Sequence, residues 1–171
     1  KCETLTEYEP VLSASGNEIV FSNVSFSYGE NEVLKNISTV IKEGELTAVI
    51  GPSGSGKTTL CQLIPRFRDV SSGTVSIGGA DVRHMRYEEI MAKISMVFQR
   101  VYLFEDTVMT NIRFGKPYAS DEEVYAAAKA ARCDDFIRNL PNGYDTVLSE
   151  GGSSLSGGEK QRISIARAIL K

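Results

Sequence analysis

The sequence is poor in the residues that build disulfide frameworks, metal centres and membrane spans. Its three cysteines, Cys2, Cys61 and Cys133 among 171 residues, stand too far apart for a zinc site or a set of paired disulfides, and are read as reduced and structural. No apolar run approaches the ~18 residues that cross a bilayer, so any membrane role has to come from other polypeptide. The chain opens with neither a Met nor the basic and apolar regions of a signal peptide, and its start reads as cut rather than native. A positive surplus is missing as well. Nineteen Lys and Arg against 22 Asp and Glu leave a formal charge of -3, which removes any global attraction for nucleic acid or for an anionic membrane surface.

What is present is a folded-domain composition: 42% hydrophobic and 24% charged residues exclude a disordered, collagenous or coiled-coil chain. Lys1–Asn17 is polar and aperiodic, with Pro10 and Gly16, and reads as a linker or entry segment. Over Ile19–Tyr28 the residues Val20, Val24, Phe26 and Tyr28 alternate with polar neighbours, the period of a half-buried strand. Val33–Ile41 predicts a second strand. Leu46–Ile50 and Ile94–Phe98 are short apolar runs with the profile of strands buried on both faces. Between them the pattern predicts a helix over Thr58–Arg66 stopped or kinked at Pro65, a strand over Thr74–Ile77 entering the Gly78-Gly79 turn, and a helix over Arg86–Lys93. Strands and helices mix in an α/β order up to this point. Beyond Gln99 helix replaces sheet. Ser120 and Glu123 form a capping box ahead of an alanine-rich helix reaching about Arg132, in a locally acidic section, and Glu159–Leu170 resumes a helical pattern.

Two glycine clusters carry the chemistry. Gly51-Pro52-Ser53-Gly54-Ser55-Gly56-Lys57-Thr58 fits G-x-x-x-x-G-K-[ST], between an expected buried strand and an expected helix, as a phosphate cradle requires. Glycines let successive N–H groups converge on phosphate oxygens. Lys57 brings a point charge to the β- and γ-phosphates, and the Thr58 hydroxyl is a hard oxygen ligand for Mg2+. Chance supplies this pattern in about one chain per hundred of such composition, which makes nucleotide binding the stronger explanation. The cradle alone does not choose among ATPases, GTPases and small-molecule kinases. Gln99 follows the expected strand Ile94–Phe98, at the edge where open α/β sheets bind ligands, although an ordinary loop glutamine would look the same.

The second cluster is Leu155-Ser156-Gly157-Gly158-Glu159. Ser156 and Glu159 form another capping box, and the glycine pair leaves the helix start sterically open. Glycine at the first two helical positions costs about 0.5–1 kcal/mol each relative to alanine. An anion approaching closely explains that cost better than capping alone.

Taken together these residues resemble the nucleotide-binding domains of ATP-binding cassette (ABC) transporters, particularly the exporter type. Gly51–Thr59 looks like the Walker A segment and Phe26–Gly29 like the aromatic segment that stacks on adenine. Val97–Ile112 is similar to the Q-loop region, Leu155–Leu170 to the signature motif and its helix, and Thr146–Gly152 to the exporter X-loop, with Glu150 in its acidic position. The resemblance runs from about Ile19 to Lys171. It implies an α/β fold: a P-loop NTPase (RecA-like) core with an antiparallel β subdomain and an inserted helical subdomain, the C-terminal part of the fold missing. On this plan residues 1–18 are an entry segment, 19–98 the nucleotide-binding core, 99–158 the helical subdomain, and 159–171 the signature helix leading toward an absent Walker B strand.

The resemblance further implies ATP and Mg2+ as ligands. Ser53, Gly54, Ser55, Gly56, Lys57, Thr58 and Thr59 would surround the phosphates, Thr58 and Gln99 would meet Mg2+, and Tyr28 would stack on adenine. Ser156, Gly157 and Gly158 would contact the γ-phosphate of ATP held by a second nucleotide-binding domain in a head-to-tail dimer. The other partner is the transmembrane domain of the same transporter, which sets the chain on the cytoplasmic side of a membrane. The segment Arg100–Ile112, with Tyr102, Leu103 and Phe104, is expected either to pack on that transmembrane domain or to pack internally.

Two departures qualify the match. Glu159 stands where glutamine is common, a tolerated variation. The chain also ends at Lys171, where the family continues into Walker B, with its Mg2+-linked Asp and catalytic Glu, and then to the switch His. His84 precedes Gln99 and cannot replace that His; it reads as a surface or turn residue. No general base is named, and the fragment alone is expected not to hydrolyse ATP. Other readings are a soluble ABC-type ATPase acting on nucleic acid or ribosomes, which net acidity disfavours, and a small-molecule kinase, which leaves Leu155–Glu159 unexplained.

Overall fold

The computed structural model describes residues 8–171; Cys2 and the first part of the expected entry segment lie outside them. The chain divides after Ile94 into two units. In the first, β1 (Ile19–Tyr28), β2 (Asn31–Ile41), β3 (Ser72–Ile77) and β4 (Ala80–Asp81) form one antiparallel sheet in the order β2-β1-β3-β4. Gly29, at φ +60, turns β1 into β2 so that Tyr28 pairs with Asn31 and Ile19 with Ile41. Helices α1 (Lys57–Leu63) and α2 (Tyr87–Lys93) complete the unit, and Leu63 and Ile90 join Phe21, Val24 and Val75 in its core.

The alternation expected along β1 is broken in the middle. Phe21, Val24 and Phe26 are the buried residues, whereas Val20 is half-buried and Tyr28 exposed. Asn23 takes the left-handed conformation, φ 49, and the pairing shifts register between Phe21 and Val24. One extra residue moves the inward face from odd to even positions. Gly73 covers this bulge so closely that a Cβ there would lie 2.3 Å from the Asn23 carbonyl oxygen.

Two expected strands are corrected. Neither Leu46–Ile50 nor Ile94–Phe98 is a strand, and Leu46 and Ile50 are 101% and 90% exposed rather than buried. A parallel strand is held only by ladders to its neighbours, and the sheet of described residues supplies no ladder to either run.

The described part of the entry segment is laid along the first unit. Leu12 N–H donates to the His84 carbonyl at 2.7 Å, Ser15 N–H to that of Gly78 at 2.9 Å, and Ala14 N–H to the Glu89 carboxylate at 3.0 Å. His84 ends a short 3-10 turn, Val82–His84, with its Nδ1 3.2 Å from the Pro10 carbonyl oxygen.

The second unit is helical: α3 (Val108–Arg113), α4 (Asp121–Ala130), α5 (Asp134–Arg138) and α6 (Gly157–Leu170) enclose Leu103, Ile112, Val124, Ile137, Leu148 and Ile163. Both expected capping boxes form, Ser120 with Glu123 and Ser156 with Glu159. Arg132, at φ 57, closes the chain beyond α4, two residues after the helix ends. Of the cysteines described, Cys133 is buried here, where burial pushes its thiol up to about 11, while Cys61 on α1 is exposed and free.

A buried carboxylate holds the α5 corner. Asp134 accepts from the Tyr144 hydroxyl at 2.6 Å and from Arg138 Nε at 3.0 Å. Burial works to raise the Asp134 pKa, but the bonds from Arg138 and Tyr144 outweigh it and hold the carboxyl below the usual aspartate range. A carboxyl depressed by folding contributes stability above its unfolded pKa of ~3.9 that is lost as pH falls through the folded value. Tyr144→Phe should remove about 1–2 kcal/mol at pH 7 in urea unfolding, and should shrink the loss of stability on acidification below pH ~4.

Candidate functional site: a P-loop and a glycine-opened helix start

The loop ahead of α1 is shaped by its glycines. Gly54 and Gly56 sit at φ +81 and +85, where residues with a Cβ are strained. At Gly56 a Cβ would also lie 2.8 Å from Leu34 Cδ2 and 3.2 Å from the Val33 carbonyl oxygen, so the loop rests directly on β2. Around this curl Lys57 turns back: its Nζ donates to the Gly51 carbonyl at 2.9 Å and to that of Pro52 at 2.7 Å, with Ser55 Oγ at 3.5 Å. The ammonium thus occupies the loop's own interior, held by acceptors that a more strongly charged oxygen would outcompete.

Ser53, Gly54, Ser55 and Thr58 are exposed around it, while Thr59 is buried. Tyr28 reaches the same place from β1, its hydroxyl 3.4 Å from Thr59 Oγ1. The edge of Phe26 steadies the Tyr28 ring at 4.8 Å between centroids, and the Arg68 guanidinium lies over the ring at 5.0 Å. The fold therefore brings Tyr28 beside the phosphate loop although they are far apart in sequence.

Gln99 belongs to the second unit, exposed in the irregular stretch after α2. It does not cap a buried strand, since Ile94–Phe98 forms none.

At the start of α6, Ser156 Oγ accepts from Glu159 N–H at 3.3 Å and donates to Glu159 Oε2 at 2.7 Å, while Ser156 N–H donates to the same oxygen at 2.8 Å. These bonds from Ser156 hold the Glu159 carboxyl below its usual range. Gly157 and Gly158 are exposed; a Cβ at Gly157 would meet nothing within 4 Å and one at Gly158 only Arg162 Nη1 at 3.9 Å. Packing among the described residues therefore does not require either glycine.

The Thr146–Gly152 tract is laced to the segment after Gln99. Thr146 and Asp106 carbonyls accept from Val108 and Leu148 N–H, each at 3.0 Å, Gly151 N–H donates to the Leu103 carbonyl at 3.0 Å, and the Tyr102 hydroxyl donates to Glu150 at 3.2 Å. Sequence reasoning missed two residues that tie this region together, Asn111 and Arg167. The available signal was an amide among Val108, Met109 and Ile112 on a short apolar helix.

Among the described residues no cluster of three or more His, Cys, Asp or Glu side chains is placed to hold a metal. A hard cation at Thr58 would draw its remaining oxygens from phosphates and water, which is how Mg2+ is usually bound. With an ammonium inside a glycine curl, exposed hydroxyls around it and an aromatic ring alongside, the loop fits a nucleoside triphosphate.

These features define a P-loop nucleotide-binding fold of mixed α/β type. The family described as "ABC transporter" matches residues 34–171, and the chain belongs to that family. It is 51% identical over 159 residues to an "ATP-dependent lipid A-core flippase" of Desulfotalea psychrophila, covering 93% of this chain and 28% of the flippase. It is 50% identical over 164 residues to a "Putative multidrug export ATP-binding/permease protein" of Staphylococcus aureus, covering 95% and 28%. A "Heavy metal tolerance protein" of Schizosaccharomyces pombe is 44% identical over 163 residues, covering 95% and 20%. Among solved structures, "Structure of a bacterial Atm1-family ABC exporter with ATP bound" superposes with a TM-score of 0.91 at 41% identity, covering 97% of this chain and 30% of that one. The chain thus spans less than a third of each of these relatives.

Because nothing among the described residues crowds position 157, Gly157→Ala should leave unfolding stability unchanged or raise it by up to about 1 kcal/mol. Gly56→Ala, strained and crowded, should lower it by at least about 1 kcal/mol. Urea unfolding of the two variants measures both.

Proposed function

We propose that this chain is the ATP-binding part of a longer membrane exporter, in which ATP binding and hydrolysis drive substrate across the membrane. The observation that carries this reading is the phosphate loop, with Lys57 clasped by the carbonyls of Gly51 and Pro52 and Tyr28 standing beside it. Lys57 exchanges those carbonyls for β- and γ-phosphate oxygens. Ser53, Gly54, Ser55, Gly56, Thr58 and Thr59 enclose the phosphates, and Tyr28 stacks on the adenine ring. Thr58 and Gln99 ligate Mg2+, which when bound neutralises phosphate charge.

Ser156, Gly157 and Gly158 serve a second site, on the γ-phosphate of ATP held by another nucleotide-binding domain in a head-to-tail dimer. Ser156 then turns its hydroxyl from Glu159 toward that phosphate. The glycines that the chain's own packing leaves unexplained support this contact. The other partner is the transmembrane domain of the same transporter, on the cytoplasmic side of the membrane, and nucleic acid is not a partner. Residues 1–18 serve as its entry segment, 19–98 as the nucleotide core, 99–158 as the helical subdomain and 159–171 as the signature helix. No helix among the described residues is long and apolar enough to cross a membrane; the relatives' names, flippase and permease, support a transmembrane partner elsewhere in the longer protein.

In the longer protein, Ser156→Arg should leave equilibrium ATP binding intact and abolish ATP-dependent association of nucleotide-binding domains, read by cross-linking. Unchanged association would remove the contact between subunits. Tyr28→Ala should weaken ATP binding by about 1 kcal/mol, roughly five-fold, the size of an aromatic stacking contribution; equal affinity in a titration would remove Tyr28 from the site.

A further inference from the structure

Asn111 is completely buried, and its amide is fully engaged. Nδ2 donates to the carbonyls of Phe104 and Thr107, both at 3.0 Å, and to that of Asp106 at 3.4 Å. Oδ1 accepts from Phe104 N–H at 2.9 Å and from Arg167 Nη2 at 3.1 Å. From α6, Arg167 also donates through Nε to the Asn111 carbonyl at 2.9 Å and through Nη1 to the Tyr102 carbonyl at 3.3 Å. Its guanidinium lies 5.4 and 5.5 Å from the ring centroids of Phe104 and Phe114. These hydrogen bonds go to neutral oxygens, and burial holds the Arg167 pKa below the ordinary arginine value.

We infer that Arg167 and Asn111 form a rigid joint that locks the segment Tyr102–Thr107 to helix α6, so that displacement of one moves the other. The inference rests on the exporter reading above and adds to it the two positioning residues that carry force between the loop and the signature helix. Three features of the geometry support it. A planar fork gripping two backbone carbonyls and an amide fixes orientation as well as distance, which a lysine point charge does not. The end of α3 and α6 are already in contact, since a Cβ at Gly115 would lie 2.1 Å from the Arg167 carbonyl oxygen. Beyond the joint, Tyr102, Phe104 and Phe114 present exposed aromatic surface, while the other end of α6 is Ser156-Gly157-Gly158. Ten helical steps lead from Gly157 to Arg167, a rigid lever of about 15 Å.

The test uses the full-length protein in lipid, with other reactive cysteines replaced and spin labels at Glu105→Cys and Lys160→Cys. A joint predicts one label-to-label distance, constant to about 2 Å with and without ATP. Arg167→Lys should broaden that distance and lower kcat for ATP hydrolysis about five-fold or more, with KM for ATP and equilibrium ATP affinity within about two-fold. A wild-type distance that changes with ATP by more than this overturns the joint, as does a folded Arg167→Lys protein with unchanged kcat, or one whose loss lies in KM. The wild-type distance decides the matter where the variant fails to fold. If the full-length protein does not bind ATP, the exporter reading falls and takes the joint's role with it; if ATP binds normally, a negative result removes the joint alone.

Discussion

The close approach of a lysine ammonium to the carbonyls of its own loop is the constraint on which the rest of the site depends. Lys57 satisfies its donors on Gly51 and Pro52 because Gly54 and Gly56 turn the backbone through conformations that strain residues with a Cβ. The loop in turn is seated by what lies beneath it. Gly56 has no room for a Cβ over Leu34 and Val33, Leu63 on α1 is buried in the core of the first unit, and Tyr28 and Thr59 bring β1 and α1 within 3.4 Å of each other. A loop organised around a cation that neutral acceptors satisfy suits an anion, which adds direct charge–charge attraction. Geometry and charge point to the same ligand.

Legibility of the chain in its sequence followed the range of the interactions concerned. Elements held by local signals were readable: the strand Ile19–Tyr28, the capping boxes at Ser120 and Ser156, and the glycine curl before Lys57. Elements that depend on distant chain were not. Leu46–Ile50 and Ile94–Phe98 carry the composition of buried strands, yet composition only states what a segment tolerates, and a ladder needs a neighbour. The Asn23 bulge escaped because alternation was read as unbroken, when one left-handed residue exchanges the two faces. Asn111 and Arg167 were invisible for a related reason. A buried amide is recognisable only from the backbone groups it satisfies, and those belong to Phe104, Asp106 and Thr107.

The two glycine clusters differ in what the chain itself demands. At Gly56 the backbone angle and the neighbours both exclude a side chain, so this glycine would be required even without a ligand. At Gly157 neither does, and the helix start bears a propensity cost with no internal compensation. The proposed phosphate contact supplies the missing term. It is a small one: a helix N-terminus contributes about 0.3–1 kcal/mol to an anion, up to ~2 when partly buried. Shifting a conformational equilibrium from 1:99 to 99:1 takes about 5.5 kcal/mol. On the proposed function a single helix start therefore cannot drive the transport cycle, and two such sites, each with a serine hydroxyl and several backbone amides, would have to act together.

Energy of that size does mechanical work only if little of it is lost in deforming the part that receives it. The second unit is built accordingly. Its Thr146–Gly152 tract bonds to Leu103, Asp106 and Val108, Glu150 holds Tyr102, and Asn111 closes the loop that Arg167 grips from α6. Because packed elements shift between discrete arrangements rather than stretching, a push on the exposed aromatics of that loop is passed to α6 as a displacement of the whole body. An isolated loop would absorb the same push in its own backbone freedom. The partly buried Arg167 cation, its pKa lowered by burial and its hydrogen bonds going to neutral acceptors, is a costlier way to stabilise a fold than apolar packing, since desolvating a charge is unfavourable. As the pin of a stiff lever its placement has a reason: a planar fork holding carbonyls on two separate stretches of backbone resists rotation in a way that apolar packing at the same point does not.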